Sequence, residues 1–315
     1  MNTKKKYKYI VEEPLIQQFK NKSLSLENLI KLISEEYQCF KKIKIDSKQG
    51  EVFKACSTIE TENCKKCKNK IAVKIFNKAS AGIQELNILL QVKNSIQTDP
   101  LSVYFKHHLL IFKEILQEND KIVLVSEFVE SDKNNNNLNL KQFILSGRCS
   151  KNDLFSLIIE VLFTLQYLHI KIPQFSHNDL LCQNVFLTYK IFNKFPFKNT
   201  QHMIVKQKHF SAVIGDFGLA SSKQFKLSSS HELGIGADIF RFLKDASDLC
   251  RGQTDLEQLM RIVTDYAFSG NFKYLESKSK NAFLPKGFEQ YLPKNVEFLL
   301  KIPKFMERVT LEKII

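Results

Sequence analysis

Two short polar segments hold residue types that could do chemistry. The first is His177-Asn178-Asp179-Leu180-Leu181-Cys182-Gln183-Asn184, and the second is Asp216-Phe217-Gly218. An Asp, an Asn five positions later, a strand pattern and then another Asp suit phosphoryl transfer from a nucleotide. One carboxylate must sit beside the attacking hydroxyl. A hard cation needs oxygen ligands, here an Asn carbonyl and a second carboxylate. Upstream, Ile71-Ala72-Val73-Lys74 places a lysine in a strand pattern, and Glu85 follows eleven residues later in a helical one. A lysine held by a glutamate can grip the α- and β-phosphates.

These residues need elements to position them. Runs 40–46, 51–59 and 70–76 alternate or are β-branched and predict consecutive antiparallel strands. SAGIQELNILLQV (80–92) predicts a helix, and 114–130 a hairpin turning at Glu118-Asn119-Asp120. The low-complexity run SDKNNNNLN (131–139) marks a surface loop or lobe boundary. Beyond it helical patterns cover 139–146 and 151–170, two short strands flank a basic insert at 188–210, and 231–315 is mostly helical in pattern. Near the start, Ser25 could cap the helical pattern SLENLIKLISEE. The fold class expected is α+β: a small antiparallel β-rich N-terminal lobe and a larger, mainly helical C-terminal lobe. The boundaries drawn are 1–39 for a basic and helical extension, 40–130 for the first lobe, and 131–315 for the second with its insert.

In this order the segments resemble a eukaryotic-type protein kinase over residues 40 to 315, which implies the bilobal kinase-like fold. Gly50-Glu51-Val52 resembles the end of the glycine-rich loop, Lys74 and Glu85 the strand lysine and helix glutamate, and Ser126-Glu127-Phe128-Val129 the gatekeeper and hinge. Asp179 and Asn184 match the catalytic loop, and Asp216 the metal-binding Asp. Gly234-Ile235-Gly236-Ala237-Asp238 resembles the segment whose Asp braces that loop. NVEFLLKIPKFMERVTLEKII resembles the closing kinase helices, with Arg308 at the usual buried arginine. The resemblance implies a non-specific serine/threonine protein kinase that binds ATP with Mg²⁺, or Mn²⁺ in its place, between the lobes. Gly50, Val52, Ala72, Lys74, Glu85, Glu127, Val129 and Phe186 would hold the nucleotide. Asn184 and Asp216 would hold the metal. Asp179, with Lys74 and Asn184, would carry the catalysis.

The departures from the family have consequences. Ile45 and Ser47 occupy the first two glycine positions, so the loop is stiffer. Asn178 replaces the arginine that receives a phosphorylated activation loop, which implies no such activation. Leu181 replaces a lysine that touches the γ-phosphate, so another group must supply that charge. Only 21 residues separate Asp216 from Asp238, with no Ala-Pro-Glu, whereas 31 lie between Asn184 and Asp216. The HNDL loop, the short segment and DIFRFL are similar to divergent kinases of large DNA viruses and to the haspin-like branch.

Composition bounds the partners. Among 315 residues there are 47 Lys+Arg against 33 Asp+Glu, a net charge of +14, and 43% are hydrophobic. That apolar share excludes a disordered chain. The charge suits an acidic protein substrate, and is compatible with nucleic acid without requiring it. The seven cysteines are odd in number and irregularly spaced, which predicts no disulfide framework and an intracellular, cytoplasmic setting, in a host cell or virion if the viral likeness holds. MNTKKKYKYIVEEP lacks the apolar core of a signal peptide. The longest apolar run, 154–168, is broken by Glu160 and Gln166 and reads as a buried helix rather than a membrane span. No oligomeric state is signalled.

Plainer readings stand beside these. Asp179 and Asn184 could be a loop Asp with a capping Asn, Lys74 a solvated strand lysine, and Glu85 a surface charge. Order and spacing favour the catalytic set. His177 reads as structural. Cys64 and Cys67 have zinc-knuckle spacing but no second pair, so they read as a loop. Ser221, Ser222 and Ser228–Ser230 read as a polar loop, and the 188–210 insert as a solvated hairpin. Competing functions are a pseudokinase scaffold and a small-molecule kinase of the choline or aminoglycoside kind.

Overall fold

A computed structural model describes residues 37–43, 50–57, 70–99, 102–118, 121–131, 138–191, 194–197, 201–205, 209–225, 234–280, 284, 287–302 and 309–313. Expectations for the N-terminal helix, Ile45, Ser47, Cys64, Cys67, most of the Asn run, Ser228–Ser230 and Arg308 lie outside these residues. The chain divides into two compact units, one of residues up to Leu90 with Ile111–Phe128, the other of Gln91–Leu110 with Val129 onward. The architecture is α+β, an antiparallel sheet with several helices, and is compatible with a protein-kinase-like fold.

In the first unit, β1 (Tyr37–Lys42), β2 (Gly50–Ser57), β3 (Lys70–Phe76), β4 (Phe112–Glu118) and β5 (Lys121–Glu127) form an antiparallel sheet of order β1-β2-β3-β5-β4. The two-residue alternation in KIAVKIF sends Ile71, Val73 and Ile75 into a core with Phe53, Ala55, Val123 and Val125. Lys70, Ala72 and Lys74 therefore face the other way. Helix α1 (Ala79–Thr98) runs past the expected stop at 92. A Cβ at Gly82 would lie 2.8 Å from Ile122 Cβ and 3.0 Å from Phe76 Cδ2, so glycine lets this helix approach the sheet closely. The cysteines hold one departure from expectation. Cys39, at the irregularity in the β1–β2 register, and Cys56 are both disulfide-bonded.

The second unit is built on a long helix. After α2 (Ser102–Phe105), β6 (Leu138–Asn139) and α3 (Leu140–Leu145) comes α4 (Lys151–Lys171), capped by Ser150, whose hydroxyl accepts from Asp153 N. Among the described residues α4 alone is long and apolar enough to cross a membrane, and most of it is buried inside the protein. Beside it β7 (Val185–Thr188) and, later in the chain, β10 (Ser211–Ile214) form a small sheet of order β10-β7-β6. Between them, within the insert, β8 (Lys194–Phe197) and β9 (Gln201–Val205) make a hairpin. Helices α5 (Gly234–Cys250), α6 (Thr254–Phe268) and α7 (Phe272–Lys278) follow.

The closing segment corrects the family-based expectation. The described residues there form a single short 3₁₀ turn (Glu297–Lys301) and then a strand, β11 (Val309–Lys313), which pairs antiparallel with β9. Val309 and Thr310 are β-branched and so favour a strand, and β9 offers an open edge to pair with.

Candidate active site

In the first unit, Lys74 Nζ lies 2.6 Å from Glu85 Oε2, with Glu85 buried. Strand β3 presents the lysine and the first turns of α1 present the acid. The ammonium also sits 4.9 Å from the centroid of the Phe76 ring. Val52 is directly across the ladder from Lys74, and Ala72 is paired with Ser126, so all three expected residues share a face of one sheet. Glu127 closes β5. At Gly50 a Cβ would meet the Ile75 carbonyl oxygen at 2.1 Å, so close contact between strands already requires glycine there.

In the second unit, the segment 176–184 is a loop ending in a 3₁₀ turn, Cys182–Asn184. Asn184 Nδ2 donates to Asp179 O at 2.8 Å and to Asp179 Oδ2 at 3.0 Å. With the amide nitrogen turned to Asp179, the amide oxygen remains for a cation. Asn184 O in turn accepts from Gly215 N at 3.0 Å, tying the loop to the residue before Asp216. A Cβ at Gly215 would lie 2.8 Å from the Phe186 ring, so glycine is needed for β10 to pass under Phe186. Asp216 has φ +58 and Asn178 φ +59, a left-handed conformation that Asp and Asn tolerate better than other side chains. Val129 also belongs to this unit.

The loop is held from below by one carboxylate. Asp238, fully buried on α5, accepts from His177 N at 2.7 Å, Asn178 N at 2.9 Å and Ser176 Oγ at 3.1 Å. His169 Nε2 lies 3.5 Å away and Arg241 3.9 Å. Burial alone would push this carboxyl up. The nearby His169, with the fields of His177 and Arg241, outweighs burial and holds it below its ordinary value. His177 is fully buried, donates from Nε2 to Gly215 O at 3.1 Å, and packs its ring at a 45° tilt against Phe217, 5.1 Å between centroids. Its role is structural, as its type and place predicted.

Asp179 behaves differently. Burial, reinforced by Asp216, raises its pKa above the ordinary carboxylate value, while His177, Asn184 and Arg241 pull it back. A carboxylate made more basic in this way, beside a loop that holds it, can accept a hydroxyl proton. Asn184 and Asp216 offer hard oxygen donors, and no group of three or more His, Cys, Asp or Glu that could hold a metal occurs among the described residues. Two protein oxygens completed by phosphate and water match how Mg²⁺ is bound, so the residues fit that ion.

Several working residues were missed at the sequence level. Asn178 Nδ2 donates to Leu219 O at 3.0 Å and Ser221 Oγ at 2.9 Å, fastening the loop to the segment after Gly218. Asp245 accepts from Cys182 N at 2.8 Å. A signal existed: 238, 241 and 245 are spaced i, i+3, i+7 and put Asp, Arg and Asp on one helical face.

No protein-family model matches the chain, and no curated protein matches it. Among solved structures it is similar to the crystal structure of the BubR1 kinase domain, at 17% identity and a TM-score of 0.41, over 62% of this chain and 50% of that one. The chain thus spans about half the length of that neighbour. Nothing in these comparisons bears on the viral or haspin-like likeness.

Proposed function

We propose that the chain is an ATP-dependent, intracellular serine/threonine protein kinase. The observation that supports this best is the Asp179–Asn184 pair, tied to Gly215 before Asp216 and braced from below by Asp238. A capping Asn on a solvated loop would need none of that support. In this reading Asp179 accepts or orients the proton of the attacking hydroxyl. Asn184 and Asp216 hold Mg²⁺, which supplies charge neutralisation on the transferring phosphate when bound. Lys74, fixed by Glu85, orients the α- and β-phosphates. Val52 and Ala72 on the lysine face, with Phe186, contact the base, and the backbone of Glu127 and Val129 hydrogen-bonds it. Asp238 keeps the loop backbone in place. The net charge of +14 suits an acidic protein substrate.

The test is to incubate the purified protein with labelled ATP and Mg²⁺ and offer casein, a basic protein or amino-alcohols. Phosphoserine or phosphothreonine on protein is expected, with loss of transfer in Asp216→Ala and Lys74→Ala. Transfer that persists in both variants overturns the roles. Nucleotide binding without transfer identifies a pseudokinase, and transfer to an amino-alcohol a small-molecule kinase.

A further inference from the structure

Strand β10 is an edge strand four residues long, and it delivers Asp216. Among the described residues only β7 pairs with it as a strand; on its other side an isolated parallel bridge joins Leu109 to Ile214, and the remaining peptide groups there need partners. Two buried side chains provide them at Ala212. Glu160 Oε2 accepts from Ala212 N at 2.6 Å, and His108 Nδ1 donates to Ala212 O at 2.8 Å. Ser211 Oγ adds a bond to Glu160 Oε1 at 3.4 Å, and Leu110 N donates to Ile214 O at 2.8 Å. Glu160 Oε2 and His108 Nδ1 lie 3.8 Å apart, with the two side chains 0% and 1% exposed. Together they replace the missing strand. Glu160 is also one of the two residues that interrupt the apolar run of α4.

We propose that His108 and Glu160 are positioning residues for Asp216, a clamp that fixes how far β10 extends and so where it delivers that carboxylate. This rests on the reading of Asp216 as a metal ligand. A carboxylate in the middle of the most apolar helix carries a desolvation cost that an apolar side chain would avoid. Against that cost it satisfies one peptide N–H of the short strand β10. Past Ala212 only Val213, Ile214 and Gly215 precede Asp216, so displacement of the strand carries through to that residue.

The experiment compares His108→Leu, which removes the donor, with His108→Asn, whose amide N–H can take the place of Nδ1–H. Amide hydrogen exchange is followed in nucleotide-free protein, and ATP affinity is measured with and without Mg²⁺. In His108→Leu, exchange across 211–216 is expected to rise about tenfold, with β2 and β3 unchanged. The gain in ATP affinity on adding Mg²⁺ is expected to fall about tenfold. His108→Asn should restore both. Exchange that is unchanged at β10, or raised evenly throughout the chain, overturns the clamp, as does a His108→Asn no better than His108→Leu. If His108→Leu fails to fold, Glu160→Met keeps much of the side-chain volume and removes the acceptor. A rise confined to 211–216 supports the proposal and an unchanged profile overturns it. A wild-type protein whose ATP affinity ignores Mg²⁺ would remove the phosphotransferase reading, and the exchange arm would then decide the clamp alone.

Discussion

Replacing Asp238 by Asn tests the brace beneath the loop of residues 176–184. The carboxylate accepts three hydrogen bonds, from Ser176 Oγ to Oδ2 at 3.1 Å, His177 N to Oδ2 at 2.7 Å and Asn178 N to Oδ1 at 2.9 Å. An amide keeps one accepting oxygen and turns an NH₂ toward a peptide N–H that donated before. One charge-assisted bond is lost, the others weaken to neutral bonds, and a buried donor is left without an acceptor. The sum is a loss of about 3 kcal/mol at pH 7. The measurement is urea unfolding of both proteins followed by circular dichroism, with turnover measured alongside. The pH dependence has a definite sign. The folded-state carboxyl of Asp238 lies below its ordinary value, so its contribution is fully present above about pH 4 and drains away as pH falls through the folded-state value. Asp238→Asn has no such term, so the gap between the two proteins narrows below about pH 4. A gap of less than about 1 kcal/mol at pH 7, or one that stays constant into acid, refutes the reasoning.

Other perturbations have equally definite outcomes. Lys74→Ala breaks the 2.6 Å pair with Glu85 and should lower kcat about a hundredfold, with Glu85→Gln falling between the two; steady-state kinetics decides. Burial raises the thiol of Cys149 to about 12 and that of Cys250 to about 12, and pushes Cys182 well above the ordinary value. Iodoacetamide at pH 8 should leave all three unmodified in the native protein and label them in urea, read by mass spectrometry. Gly236→Ala puts a Cβ 2.6 Å from Leu292 Cβ and 2.7 Å from Pro293 O, neither of which is a flexible side-chain end, and should cost about 2 kcal/mol in thermal unfolding.

Parts of this molecule were legible in its residues. The alternation in KIAVKIF fixed which face Lys74 takes, and the eleven-residue step to Glu85 proved compatible with direct contact. The Asp-Asn spacing in the loop put Asn184 against Asp179. What stayed hidden depends on contacts remote in sequence. Nothing around His108 or Glu160 announces that they meet at Ala212, because the need for them arises only when β10 becomes an edge. That Cys39 and Cys56 are disulfide-bonded is likewise invisible in the irregular spacing of the cysteines. The tail VTLEK was misread because five residues are too few for periodicity to choose strand over helix, and the family pattern tipped the balance.

The pairing of β9 with β11 has a bearing on the order in which the chain assembles. Val205 pairs with Val309, 104 positions further on, whereas β8 and β9 are separated by only three residues in sequence. The hairpin can close as soon as it leaves the ribosome, but its second edge must wait for the last strand to be made. During that interval β9 offers an unpaired row of peptide groups to any strand nearby. Synthesis slowed between the insert and the tail would lengthen the exposure, so translation rate over 206–308 becomes a determinant of how much chain reaches the native state.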